Sequence, residues 1–127
     1  MADRQFFRNI ATYLLGQVSV GGSFAPNAGS AIVASSNRGK GWSVARTGTG
    51  LFTVTFQDTF AKLISATATL QMATALDKFM TVGTYTAASK TLVLAAWDIS
   101  DGAPGDVAAD ANNRVNFHCI FSNSGVD

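Results

Sequence analysis

The stretch GKGWSVARTGTGLFTVTF, residues 39–56, reads as two strands joined by a glycine-bearing turn. Trp42, Val44 and Arg46 fall on one face of the first strand. Phe52, Val54 and Phe56 fall on one face of the second, with Leu51, Thr53 and Thr55 on the other. A period of two is the mark of a half-buried sheet, because successive side chains of a strand point to opposite sides. Gly48 and Gly50 are placed to supply the backbone angles of a tight hairpin, which a Cβ resists.

The same alternation recurs outward from this hairpin. Val18 and Val20 alternate before Gly21-Gly22, and Ser23-Phe24 leads into a turn over residues 25–29. Ile32 and Val33 suggest a short strand. After a turn at residues 57–60, Ile64, Ala66, Ala68, Leu70 and Met72 alternate with Ser, Thr and Gln. A helix competes over residues 70–80, but the Thr and Val content favours strands. Residues 79–86 alternate again. Residues 91–97 are apolar on both faces, as in a sandwich interior or at a subunit contact. Residues 98–113 read as a long loop, and residues 114–122 as a last strand with Val115, Phe117, Cys119 and Phe121 on one face. Seven or eight strands without βαβ alternation predict a single all-β sandwich or barrel, jelly-roll-like, over residues 17–127.

Residues 1–16 differ. Phe6, Phe7, Ile10, Tyr13 and Leu14 recur at spacings of three and four, which suits an amphipathic helical turn or two, with an extended arm as the alternative. So short a helix is marginal alone. The segment therefore docks either on its own domain or on a neighbour.

At 127 residues the chain is large enough for a core without disulfide or metal staples. Charged residues make up 13%, about half the usual share of roughly 25%. A surface so poor in charge favours an assembly subunit over a monomeric enzyme. A net charge of +1 offers no field for nucleic acid or an anionic membrane. No segment approaches the ~18 apolar residues of a membrane span, and the start lacks a signal-peptide pattern, so cytoplasmic synthesis is expected.

Reactive groups are sparse. His118 is the only histidine, which excludes multi-histidine metal sites, and its neighbour Cys119 should point to the opposite face. Cys119 reads as a small core hydrophobe. Asp98, Asp101, Asp106 and Asp110 gather acids in one loop. Its default reading is a solvated loop, with calcium held at an interface as the sharper one, although the spacing is not that of an EF-hand. Arg38, Lys40 and Arg46 form the one local basic cluster, either solvated or facing an acidic neighbouring subunit. Neither a phosphate-cradling loop nor a dinucleotide fingerprint is present. No catalytic residue and no cofactor is expected.

The segments GSFAPN (22–27), NRGKGWSVARTGTGLFTVTF (37–56), LISATATLQMAT (63–74) and DVAADANNRVNFHCIFSNSGVD (106–127), with the opening MADRQFFRNI, resemble small structural proteins of tailed bacteriophages, of the head decoration (cement) type. Strand-turn-strand phrases like that of residues 41–56 also occur in trimeric jelly-roll heads of phage fibres. The resemblance implies a non-enzymatic virion protein on the capsid surface. Its partners would be the major capsid protein and copies of itself, as a dimer or trimer. A receptor- or glycan-binding module of a tail or fibre is the alternative. Contact residues expected on this reading are Phe6, Phe7, Ile10 and Tyr13 in the arm, then Arg38, Lys40, Asp101 and Asp106.

Overall fold

A computed structural model describes residues 17–74 and 77–122. Its strands are β1 (Gln17–Phe24), β2 (Trp42–Gly48), β3 (Leu51–Phe56), β4 (Lys62–Gln71), β5 (Lys78–Thr86), β6 (Thr91–Asp98), β7 (Ala103–Pro104) and β8 (Arg114–Ser122). They form a three-stranded antiparallel sheet, β1-β8-β4, and a five-stranded one in which β2-β3-β6-β5 run side by side and β7 pairs with β6. The chain is an all-β sandwich, as the alternation predicts. The expected N-terminal arm, with Phe6, Phe7, Ile10 and Tyr13, lies outside the described residues.

The core sits between the sheets and is built by the inward half of each alternating strand. Phe52, Val54 and Phe56 face Leu92, Leu94 and Ala96 from within one sheet, and Val115, Phe117, Cys119 and Phe121 close the space from the other. All are buried. Two aromatic groups organise it. At one end the Phe121 ring stacks on Phe60 at 4.3 Å and meets Phe56 edge-on at 4.8 Å. At the other, Trp42 meets Phe117 edge-on at 4.8 Å and Phe24 meets Phe52 at 5.2 Å. Full burial of each such ring contributes about 2–3 kcal/mol, and edge and offset geometries add to it. The Tyr85 hydroxyl, donating to Phe60 O at 2.9 Å, fixes the loop that carries Phe60 over the cluster.

The hairpin forms as expected, Trp42 opposite Phe56 and Val44 opposite Val54, with a bulge between Arg46 and Gly48. Gly50 alone takes the left-handed angle in that turn (φ +66°); Gly48 does not, because the bulge absorbs its share of the bend. A Cβ on Gly50 would lie 2.6 Å from Gly105 N, so the turn also needs glycine for close approach.

Four further expectations are corrected. Strand β1 runs through Gly21-Gly22 rather than ending there, and a Cβ on Gly22 would lie 2.2 Å from Arg38 O and 2.6 Å from the Trp42 ring. The glycine lets the chain before β2 cross against β1, where Ser23 and Arg38 bridge through both backbone bonds. Ile32 and Val33 form no strand. They lead into a single 3-10 turn, Ala34–Ser36, whose Ser36 hydroxyl donates to Val33 O at 2.7 Å. Ile64 is not on the apolar face of β4: a bulge between Leu63 and Ser65 pushes it out, 43% exposed. Lastly, the loop after β6 contains the short strand β7, which extends the five-stranded sheet past the end of β3.

Candidate interaction surface

The outer face of the five-stranded sheet is fixed by the same register that fixes the core. On β2 it shows Ser43, Ala45 and Thr47, and on β3 it shows Leu51, Thr53 and Thr55. On β6 it shows Thr91, Val93, Ala95 and Trp97, and on β5 it shows Phe79, Thr81 and Gly83. None of these side chains is ionisable. A folded surface normally intersperses both signs of charge, so a whole uncharged sheet face is an observation that needs a reason. Two pairs of its polar groups bond each other: the Thr47 and Thr53 hydroxyls meet at 3.1 Å, and Trp97 Nε1 donates to Thr81 Oγ1 at 2.7 Å. Phe79 is 45% exposed and lies parallel to Trp97, ring centroids 6.4 Å apart.

Two ion pairs lie within the chain at the hairpin-turn end of this sheet. Arg46 donates from Nε and Nη2 to the two carboxylate oxygens of Asp106 at 3.0 and 2.9 Å, and Gly50 N–H donates to the same carboxylate at 2.8 Å. The Arg46 hydrogen bond is the main cause that holds the Asp106 carboxyl below its ordinary value, against the opposing effect of burial. Lys78 Nζ lies 3.4 Å from Asp98, whose carboxyl is lowered first by the Ser100 hydroxyl. These contacts anchor the loop after β6 to the hairpin turn and to β5.

Of the residues expected at contacts, Arg46 meets an acid of its own chain, so it is not free for a neighbouring subunit, and Asp106 is committed to it. Arg38 and Lys40 are exposed in the segment before β2, and Asp101 is exposed in the turn after β6. The four loop acids do not converge. Asp98 serves Lys78 and Ser100, Asp106 serves Arg46 and Gly50, and Asp110 accepts from Asn112 N. Among the described residues no three His, Cys, Asp or Glu side chains are grouped to hold a metal ion.

The opposite sheet has an outer face with Ser19, Thr67, Thr69, Asn116, His118 and Ile120, of which His118 alone is ionisable. His118 points outward and Cys119 inward, as their adjacency dictates, and the His118 ring and the Ser19 hydroxyl are hydrogen-bonded partners. Burial pushes the Cys119 thiol up to about 11. Arg114 escapes sequence reading altogether. It is buried at the end of β8, donating to Ser23 Oγ at 3.0 Å and to Ser36 O at 2.6 Å, and burial lowers its pKa. Nearby an open cleft of about 400 Å³ is lined by Pro26, Asn27, Val33, Ala109 and Asp110, without an aromatic ring.

No protein-family model, curated protein or solved structure matches the chain.

Proposed function

We propose that the chain is a non-enzymatic virion structural protein that decorates a bacteriophage capsid, binding the shell of major capsid protein and neighbouring copies of itself. The observation that carries this reading is the uncharged outer face of the five-stranded sheet with its exposed Phe79. A sheet face without charge, carrying an exposed aromatic ring among hydroxyls and small side chains, suits burial against protein, since interface cores are depleted of charge and enriched in aromatics. The reading takes up the resemblance of residues 22–27, 37–56, 63–74 and 106–127 to phage decoration proteins. Such a protein works by contact alone. By binding the expanded shell better than its precursor, it stabilises the expanded state by mass action, and many copies on one particle make modest contacts lasting. On this reading the protein is made in the host cytoplasm and resides on the capsid surface.

Co-sedimentation of the purified chain with expanded and unexpanded shells stripped of it provides the test. Saturable binding that favours expanded shells is the expected result, and absence of binding to both overturns the proposal.

A further inference from the structure

Resting on that reading and deepening it, we infer that the outer face of the five-stranded sheet is where a second copy of this chain docks, sheet against sheet about a two-fold axis parallel to the strands. Absence of charge is the first argument. In a two-fold contact each patch meets itself, so a charged residue near the axis faces its own like charge. A face with no ionisable side chain, whose nearest charges Arg46, Asp106, Lys78 and Asp98 are paired within the chain, meets that condition.

Shape is the second argument. The bulky side chains sit at one side of the face: Phe79 on β5, beside Trp97 on β6. The small ones, Ser43, Ala45 and Thr47, sit on β2, the strand at the other margin. Rotation by 180° about an axis running between β3 and β6 brings β5 of each copy over β2 of the other. The aromatic ridge then lands toward the Thr47 end of the partner's hairpin, twice per dimer. An axis perpendicular to the strands would instead set the aromatic end of each face over the Thr86 and Thr91 end of the other and leave the small-residue rows of β2 facing each other.

Extent gives the third argument and sets the strength. Four strands about 4.8 Å apart and roughly seven residues long at about 3.3 Å each cover roughly 450 Å² in plan. Two copies together bury about 900 Å², within the weak, transient class of interfaces. Docking is therefore reversible for free chains and becomes effective where copies share a scaffold at millimolar local concentration.

Sedimentation velocity of the full chain from about 10 µM to 1 mM, with co-sedimentation on shells in parallel, tests the inference. Wild-type chain is expected to show a concentration-dependent dimer. Thr47→Lys and Phe79→Glu should each raise the dissociation constant at least about tenfold. The two substitutions in one chain should recover most of that loss, because residue 47 of one copy lies toward residue 79 of the other. Thr67→Lys, on the opposite sheet, should change nothing, and circular dichroism checks that each variant is folded. A wild-type monomer throughout the range, or a dimer indifferent to both face variants, overturns the inference. If shells still bind such a chain, the decoration reading stands without it, and protection of the face on the shell would assign it to the shell protein.

Discussion

Replacing Asp106 by Ala removes an acceptor shared by two elements, and the structure sets the size of the effect. The Asp106 carboxylate takes two hydrogen bonds from Arg46 and one from Gly50 N–H. Charge-assisted bonds of this kind contribute about 1.5–3 kcal/mol when sheltered. The Asp106 side chain is 24% exposed, so water replaces part of what is lost, as it does for surface ion pairs. The expected loss is about 2 kcal/mol at pH 7. For a domain of this size that is a fall in Tm of roughly 6–10 °C. The pH dependence has a definite sign. The folded-state pKa of Asp106 lies below its unfolded value, chiefly through Arg46. Its contribution is therefore present above the unfolded value, about 3.9, and is lost as pH falls through the folded value. Thermal unfolding of wild type and Asp106→Ala between pH 7 and pH 2.5 should show a gap that closes in acid. A gap under about 0.5 kcal/mol at pH 7, or one that persists undiminished at the acid end, refutes the reasoning.

Other substitutions test separate parts of the fold. Gly50→Ala should cost at least about 2 kcal/mol in urea unfolding, since it adds a clash with Gly105 to the left-handed strain; Gly102→Ala, with φ +63° and open space around it, should cost only about 1 kcal/mol. Equal costs would show that the close approach at Gly50 is unimportant. Leu63→Ser should cost about 1–2 kcal/mol and Ile64→Ser less than about 0.5 kcal/mol, because the bulge in β4 turns the second residue outward; the reverse order would place the bulge elsewhere. Cys119, fully buried and raised to about 11, should resist a thiol reagent at pH 8 in the native state and react at once in denaturant. Rapid native labelling would contradict its place in the core.

Sequence alternation exposed most of the architecture because each strand is amphipathic on its own: residues 42–48, 51–56 and 114–122 carry their inward and outward faces in plain view. The uncharged outer face was visible in the same way, as the Leu51, Thr53, Thr55 half of its hairpin. What alternation could not reveal is where it slips. The bulge in β4 reverses Ile64 without any change in composition, and Gly21-Gly22 read as a break because the crossing chain at Arg38 that requires glycine is distant in sequence. Residue pairs made by the fold were equally hidden. Arg46 and Asp106 are separated by 60 positions, Arg114 and Ser23 by 91, and only the closed sandwich turns an apparent basic cluster and an apparent acidic loop into partners.

Cryo-electron microscopy of the intact particle that carries this chain tests the central claim most directly. The account predicts many copies on the outside of the head, bridging capsomers, with the outer face of the five-stranded sheet covered. Density confined to the tail tip or fibres, or a particle without the chain, would contradict it.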